Sequence, residues 1–386
     1  MKVLQIVKTS EGARWAFDQI EALNRRDIEM ITVLPNSSGR VAQMYAEQGF
    51  KIIEADLSLP LGSPWKIFSR INTFKKIVKE VAPDIIHCHF VTNVLLSRIA
   101  LRGINIPRIF QVPGPLHLES TFYRKMEIGM SQKNDYWIGS CKKTCEIYRE
   151  SGIDVERLFL GYYGGYGGKA CDVYLQQGDK LHREYGISDG VFMVGMVSYF
   201  YKPKKYASQK RGIKGHEDFI DAIALVREKY PNTLGVIIGG PWGNADNYVE
   251  QIKQYAENNC KDGIIFTGFR TDIKDIYCEL DVAVHPSHSE NLGGAAESLA
   301  AGRPTVSTNV GGFPDIVVDG ETGYTVPKES PKELAHAIIK MLEDPQKAQT
   351  MGKNGRDLVR DLLDIENCAD KIKDIYIEIL NNRTGR

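Results

Sequence analysis

The stretch HPSHSENLGGAAESLAAGRPTVSTNVGGFPDIVVDGETGY, residues 285–324, decides the fold. A strand ends near His285, the pair Gly293-Gly294 precedes a helix, and Gly302 followed by Pro304 stops that helix. A second strand then runs into another glycine pair. Two successive strands ending in glycine-rich turns at one sheet edge are typical of a doubly wound α/β sheet that binds its ligand there.

The chemistry of this stretch favours a phosphorylated, hydroxyl-bearing ligand. A helix that begins at glycines offers free N–H groups and the positive end of its dipole to an anion such as a diphosphate. Glu290 lies in the loop before the helix and Glu297 lies about one turn into it. Since a carboxylate accepts several hydrogen bonds, this pair suits the hydroxyls of a ribose and a sugar.

Apolar strands alternate with amphipathic helices on both sides of this stretch, which predicts parallel sheets with crossover helices. The pattern restarts after the polar segment QQGDKLHREYGISDG. We therefore expect a first domain over 1–175, a linker over 176–190, a second domain over 191–365 and a last helix, 366–386, that returns to the first domain.

Composition excludes several functional classes. Lysine and arginine number 49, as do aspartate and glutamate, so the chain lacks the basic excess of a nucleic-acid binder. Seven scattered cysteines without a C-x-x-C pair predict reduced thiols in a cytoplasmic protein, with neither a disulfide framework nor a zinc site. The short apolar start, MKVLQIVK, favours a first strand over a signal peptide.

Two glycine-rich segments fail as nucleotide-binding motifs. GYYGGYGGKA, residues 161–170, lacks the first glycine and the Ser or Thr of a P-loop and is interpreted as an interdomain loop. KTSEGAR, after the first strand, contains only Gly12, so the dinucleotide fingerprint is missing and a dehydrogenase is disfavoured. Gly12 remains a position where a ligand could approach the backbone.

The 285–305 stretch resembles the retaining glycosyltransferases of family 4, which have the GT-B fold. The resemblance lies in Pro286-Ser287, in Glu290 before a glycine, and in Glu297-Ser-Leu-Ala-Ala-Gly-x-Pro. This chain has six residues between its glutamates where the family has seven. The resemblance implies two Rossmann-like domains facing each other across a cleft, an acceptor-binding domain over 1–175 and a nucleotide-sugar-binding domain over 191–365. It places Glu290 near the donor sugar and Glu297 on the nucleotide ribose. It also implies donor binding by Asn291, Leu292, Gly293 and Gly294.

Further matches assign the remaining site candidates. GIKGHEDF at 212–219 resembles the family's Lys-Gly-His element, which implies that Lys214 faces the donor diphosphate. Gln209 stands where the family has an arginine, so Arg211 is the substitute candidate. In the first domain, His117 of QVPGPLHLE is the catalytic candidate, while His87 and His89 of HCHF are interpreted as packing residues.

The predicted reaction needs no cofactor. No Asp-x-Asp occurs, so we expect no metal requirement, with cationic side chains and a helix dipole stabilising the departing diphosphate. The donor-side charges are Lys214, Glu290 and Glu297, and no general base is evident in the first domain. That absence and the resemblance both favour retention of the anomeric configuration.

The acceptor stays open between two interpretations. EGARWAFDQIEAL and QVPGPLHLES resemble a subgroup similar to 2-deoxystreptamine N-acetylglucosaminyltransferase, which implies an aminocyclitol acceptor in antibiotic biosynthesis and N-acetylglucosamine or glucose moved from a UDP-sugar. The alternative is a cell-envelope or exopolysaccharide transferase with a lipid-linked acceptor. A basic helix with Trp65 and Phe68 leaves peripheral membrane contact open beside a solvated-helix interpretation.

Two further classes remain as alternatives. A non-catalytic nucleotide-sugar-binding protein could use the same fold, because fold alone does not give function. A nucleotide-sugar epimerase or a phosphorylase shares the architecture. The epimerase would convert the donor without any acceptor, and the phosphorylase would need a cofactor lysine in a much longer chain.

Overall fold

The computed structural model describes residues 1–174, 178–203 and 210–384, and it divides the chain into two compact units. The first unit holds Met1–Gly165 together with the segment from Leu362 onward. The second unit holds Tyr166–Asp361.

The strands described in the first unit form one parallel sheet in the order β3-β2-β1-β4-β5-β6-β7. They are β1 Lys2–Ile6, β2 Glu29–Leu34, β3 Lys51–Glu54, β4 Ile85–Cys88, β5 Arg108–Val112, β6 Asp135–Gly139 and β7 Leu158–Leu160. Its helices are α1 Arg14–Asn24, α2 Arg40–Glu47, α3 Ile67–Val81, α4 Val91–Ala100, α5 Leu116–Glu119, α6 Thr121–Gly129, α7 Lys142–Glu150 and α16 Ile365–Thr384. Short 3-10 helices occupy Pro64–Lys66 and Val155–Arg157.

The strands described in the second unit also form a parallel sheet, in the order β10-β9-β8-β11-β12-β13. They are β8 Phe192–Val197, β9 Thr233–Ile238, β10 Ile264–Gly268, β11 Val282–His285, β12 Thr305–Thr308 and β13 Tyr324–Val326. Its helices are α8 Lys180–Tyr185, α9 His216–Lys229, α10 Asp246–Asn259, α11 Ile273–Glu279, α12 Gly293–Ala300, α13 Phe313–Ile316, α14 Pro331–Glu343 and α15 Pro345–Leu362. A 3-10 helix spans Gly168–Tyr174.

Burial on both faces explains the strand sequences. Every residue of β4 and β5 is buried, and so is every residue of β11 and β12. Parallel strands with helices on both sides need such near-continuous apolar runs. The predicted α/β class with two Rossmann-like domains is therefore confirmed. Strand order reverses between β1 and β4 in one sheet and between β8 and β11 in the other, which creates a switch point at each carboxyl edge.

The division between the units falls earlier than the sequence suggested. The second unit begins at Tyr166, inside the glycine-rich segment, where Gly165 and Gly168 have positive φ. Most of the expected 176–190 linker belongs to the second unit and includes α8, while residues 176 and 177 lie outside the described part. The buried carboxylate of Glu279 accepts hydrogen bonds from the N–H groups of Lys180 (2.8 Å), Leu181 (2.9 Å) and His182 (3.2 Å). Such capping fixes α8 onto the domain.

The last helix, α16, packs within the first unit. Arg26 binds both Glu366 and Asp370, and the Tyr376 hydroxyl lies 2.5 Å from Nδ1 of the buried His87. A Cβ on Gly161 would lie 2.8 Å from Cδ1 of Ile372, so a larger residue there would have to displace this side chain of α16. His87 and His89 are thus buried packing residues of this network. Among the described residues, no helix combines the length and apolar content needed to cross a bilayer.

The Glu279 cap gives a test of the fold. Glu279→Ala leaves three N–H groups of α8 without an acceptor, which should cost about 1–3 kcal/mol locally. We expect the amides of residues 180–182 to exchange with deuterium roughly tenfold faster or more. Glu250→Ala, which removes only an exposed partner of Lys253, serves as the control. Unchanged protection in Glu279→Ala would contradict the capping role.

Candidate functional site

A cavity of about 300 Å³ opens at the carboxyl ends of β8, β9 and β11, on the switch point of the second unit. Its walls come from the strand ends and from the loops that follow them. The lining residues are Tyr166, Met196, Val197, Ser198, Tyr199, Tyr201, Lys214, Ile238, Gly239, Phe269, Arg270, Ile273, Val284, His285, Pro286, Ser287, Glu290, Gly293, Gly294, Glu297 and Phe313. The volume lies at the lower end of the range of roughly 300–1,000 Å³ typical of small-molecule sites.

Two glycines allow the loops around this cavity to pack closely against each other. Gly215 has φ +74, and a Cβ there would lie 2.1 Å from the carbonyl oxygen of Pro286. Gly239 has φ +149, and its Cβ would lie 1.9 Å from the carbonyl oxygen of Ser198. Only glycine permits such close backbone approach. The loop that carries Lys214 is therefore held against the loop that carries Glu290.

Lys214 and Glu290 form an ion pair inside the cavity, with both side chains largely buried. The backbone N–H of Asn291 donates to the other carboxylate oxygen of Glu290 at 3.1 Å, which fixes the carboxyl group. The Lys214 ammonium also lies 5.6 Å from the centre of the Tyr201 ring. An ammonium has three donors, so Lys214 can keep Glu290 and still bind a ligand oxygen.

Glu297 lies on α12, with its carboxyl in the same cavity. Burial raises the pKa of this carboxyl to about 7, while the charge of Lys274 and a hydrogen bond with Tyr277 act in the opposite direction. The group is therefore divided between its acid and carboxylate forms near neutral pH. A ligand hydroxyl that donates to it would favour the carboxylate.

The start of α12 contributes backbone donors. Gly293 and Gly294 are the first two residues of this helix and line the cavity. A Cβ on Gly293 would lie 2.9 Å from Cδ of Glu290, and one on Gly294 would lie 2.9 Å from Cε1 of His285. The glycines thus let the helix N-terminus approach the Lys214–Glu290 pair, where a diphosphate would find both N–H groups and an ammonium.

Arg211 does not lie where the sequence predicted it, beside the donor diphosphate. Its guanidinium binds Asp218 at 2.5 Å and Asp221 at 2.8 Å, and it does not line the cavity. Two carboxylates already neutralise this cation, so the geometry gives it no part in binding a diphosphate and assigns it to holding α9. Gln209, the family's arginine position, lies outside the described residues.

Asn291 and Leu292 also stay out of the cavity lining. Leu292 is buried in the protein, and the carbonyl of Asn291 accepts the N–H of Gly312 at 3.1 Å. In this geometry the side chains of Asn291 and Leu292 do not face a ligand in the cavity. The two residues shape the loop between Glu290 and α12.

Gly12 and His117 belong to the first unit. Gly12 lies in the turn after β1, and a Cβ there would meet nothing nearer than Thr9 Cγ2 at 4.0 Å. His117 lies on α5, and burial lowers its pKa to about 4, so the imidazole is neutral at pH 7. Its Nε2 has no hydrogen-bond partner among the described residues. A neutral imidazole with an unused nitrogen keeps His117 as a candidate.

Comparison with known proteins adds to this geometry. A model of "Glycosyltransferase Family 4" matches residues 12–160, and a model of "Glycosyl transferases group 1" matches residues 205–358. The Staphylococcus aureus capsular polysaccharide biosynthesis glycosyltransferase CapM is 23% identical over 100% of this chain and 99% of its own length. Anabaena HepE in complex with UDP-glucose superposes with a TM-score of 0.76 at 20% identity, covering 97% of this chain and 99% of HepE.

The chain is a family 4-like GT-B glycosyltransferase.

A second relative has a more specific name. The Escherichia coli UDP-Gal:α-D-GlcNAc-diphosphoundecaprenol α-1,3-galactosyltransferase is 24% identical over 80% of this chain and 79% of its own length. A glycosyltransferase from Rickettsia africae superposes with a TM-score of 0.79 at 18% identity over 99% of both chains. The predicted GT-B fold is thereby confirmed.

The structure also adds residues to this transferase's site that sequence reasoning missed. Tyr199 and Tyr201 line the cavity, while Phe200 between them is buried and stacks on His216 at 4.0 Å. The sequence Tyr-Phe-Tyr shortly after β8, in which residues with and without a hydroxyl alternate, could have indicated that the two tyrosines share one face. Phe269, exposed after β10, stacks on Tyr199 at 6.4 Å. These rings form an aromatic rim along one side of the cavity.

The loop contact at Gly215 generates a prediction. Gly215→Ala adds a methyl against the Pro286 carbonyl and should move Lys214 away from Glu290, so we expect UDP binding to weaken clearly. Gly320→Ala is the matched control, because Gly320 has φ +77 but no atom within 4 Å of its Cβ position. Isothermal titration of UDP into both variants measures the effect. Equal affinities in the two variants would show that the loop contact does not position the site.

Proposed function

We propose that the chain is a retaining, metal-independent glycosyltransferase that uses a UDP-linked hexose. The observation that carries this proposal is the meeting of Lys214, Glu290, Glu297 and the α12 N-terminus in one cavity. A cation and backbone donors suit a diphosphate, and two carboxylates suit hydroxyl groups. The UDP and UDP-glucose complexes of Anabaena HepE, which shares the fold, support a uridine nucleotide.

In this proposal each side chain has one task. The diphosphate lies at Gly293 and Gly294 beside Lys214, whose charge stabilises the oxygen that departs with UDP. Glu297 accepts ribose hydroxyls, and Glu290 faces the sugar. The acceptor hydroxyl then attacks from the side of the leaving group, and the departing phosphate oxygen takes its proton. The anomeric configuration of the donor is kept.

Metal independence is part of the proposal. Among the described residues, no three His, Cys, Asp or Glu side chains are grouped as ligands for a metal ion. Lys214 and the helix dipole already supply positive charge where the diphosphate would lie. All seven cysteines lie in the described part of the chain and none forms a disulfide there, as expected of a protein in a reducing setting.

For the acceptor we favour a lipid-linked saccharide of the cell envelope. The names of the Staphylococcus aureus and Escherichia coli relatives support this choice, since one concerns capsular polysaccharide and the other a diphosphoundecaprenol-linked sugar. The aminocyclitol acceptor predicted first from the sequence remains the soluble arm of the test.

The proposal is tested with the purified chain and a panel of UDP-sugars, each offered with lipid-linked saccharides, with 2-deoxystreptamine and without acceptor, in the presence and absence of EDTA. Mass spectrometry should show a sugar added to a lipid-linked acceptor, unaffected by EDTA, and proton NMR should show an α-product from an α-donor. Donor epimerisation without acceptor, or binding without any transfer, would refute the transferase. A β-product would refute retention.

Substitution of Lys214 tests the leaving-group role. Lys214→Ala should lower kcat by roughly 100-fold or more, because its interaction strengthens as the diphosphate departs. Arg211→Ala should instead lower stability, since its guanidinium binds only side chains of the protein. Steady-state kinetics together with thermal unfolding separate the two effects. A kcat loss in Arg211→Ala as large as that in Lys214→Ala, at unchanged stability, would restore Arg211 to the diphosphate.

The raised pKa of Glu297 predicts a pH dependence. The carboxylate form accepts ribose hydroxyls best and is lost as pH falls through about 7, so affinity for UDP-glucose should be roughly tenfold weaker at pH 6 than at pH 8. His285, whose pKa burial lowers to about 3, does not titrate in this range. Glu297→Gln should bind UDP-glucose more weakly, and its affinity should not change between pH 6 and pH 8. If the affinity of Glu297→Gln for UDP-glucose depends on pH as that of the parent does, another group is responsible for the titration.

A further inference from the structure

An unusually exposed apolar group lies between β3 and α3. Trp65 is 74% exposed, Phe68 is 75% exposed and Leu61 is 60% exposed. This segment follows the carboxyl end of β3, so it lies at the same edge of the first unit's sheet as the turns after β1 and β4. Single exposed apolar residues are ordinary, but three within eight residues of a chain form a patch that needs a partner.

The exposed side of α3 continues from this patch as a basic stripe. Phe74, Ile77, Val78 and Val81 face the core, while Trp65, Phe68, Lys75 and Lys79 recur at helical spacing on the exposed side. Aromatic rings thus occupy the start of the helix and lysines its later turns. A helix that inserts its rings between lipid headgroups and keeps its lysines at the headgroup level has this arrangement.

The charge of this region differs from that of the whole chain. Residues 61–79 hold five basic and no acidic side chains, although the complete sequence is balanced at 49 of each sign. Arg70 is held by Asp56, and Lys76 lies 3.9 Å from Glu80, so two acidic groups offset part of the charge. The remaining lysines still leave a net positive surface around the rings, which is complementary to an anionic surface.

A second exposed apolar group lies at the same edge. Phe122 is 68% exposed, and Leu116 and Tyr123 are also exposed, where the chain leaves β5 and enters α6. Helices α3, α4 and α6 contact one another in sequence on the same side of the sheet. Lys125 is exposed beside these rings. The apolar and basic surface therefore extends across the edge that also holds His117.

We propose that this edge of the first unit, defined by Leu61, Trp65, Phe68, Phe122 and the lysines of α3, docks on an anionic lipid bilayer. Protruding rings suit a fluid surface that adapts to them, whereas a protein partner would need a groove shaped to receive them. Docking there would bring the domain to a lipid-linked acceptor. In that respect the inference rests on the proposed function, but the docking itself is independent of catalysis.

The test is co-sedimentation of the full chain with phosphatidylcholine vesicles that contain or lack phosphatidylglycerol. The parent should sediment with the anionic vesicles and be released by salt. Trp65→Ser/Phe68→Ser should lower the partition coefficient roughly tenfold or more, because the rings no longer insert. Lys75→Gln/Lys79→Gln should lower it about tenfold or more on anionic vesicles alone.

Matched controls use apolar and basic residues at the surface elsewhere in the first unit. Val155 lies at the opposite edge of the sheet and Ile377 on α16, so Val155→Ser/Ile377→Ser should sediment like the parent. Lys371→Gln/Lys373→Gln on α16 is the charge control. UDP titration of every variant reports the donor site separately, so failure of docking and failure of the proposed function are distinguishable.

Two results would overturn the docking proposal. One is a parent protein that stays in the supernatant with anionic vesicles, which would show that the patch does not bind lipid. The other is a loss in the control variants as large as that in Trp65→Ser/Phe68→Ser or Lys75→Gln/Lys79→Gln.

Discussion

The close approach of Gly215 to the carbonyl of Pro286 is the constraint on which the proposed donor site depends. It presses the loop before α9 onto the loop after β11, so that Lys214 and Glu290 meet although 76 residues separate them. Gly293 and Gly294 then let the start of α12 approach the Lys214–Glu290 pair closely. Because Gly215 meets the backbone of Pro286 and the two glycines of α12 meet the side chains of Glu290 and His285, chain geometry sets the site without a ligand. Preorganised charge of this kind is what a departing diphosphate requires.

Most residues of the candidate site could be predicted from the sequence, because the motifs that place them are short and local. Strand ends followed by glycine pairs placed Glu290, Gly293, Gly294 and Glu297 at one sheet edge, and the Lys-Gly-His element placed Lys214 there. Arg211 differs because its partners, Asp218 and Asp221, lie on a helix that begins after it, and a linear sequence does not show which carboxylates turn back toward it. The cavity side of Tyr199 and Tyr201 likewise depends on Phe200 entering the core beside His216.

The two units differ in how they use polar groups. The second unit places Lys214 and Glu290 in the wall of a cavity, where both can contact a ligand. The first unit buries a polar network in which His89 binds Gln5 and Tyr163 while His87 contacts Tyr376 of α16. Its exposed aromatic and basic residues lie at the edge that includes α5 and α6. Chemistry on the donor and contact with a lipid surface are thus supported by different parts of the chain.

A crystal structure of the chain with UDP tests the central claim most directly. The geometry predicts the diphosphate within hydrogen-bond distance of Lys214 Nζ and of the N–H groups of Gly293 and Gly294, with the ribose hydroxyls on the carboxylate of Glu297. It also predicts that Arg211 keeps its contacts with Asp218 and Asp221. A diphosphate bound to Arg211, or bound away from α12 with Lys214 untouched, would contradict the assignment of this cavity as the donor site.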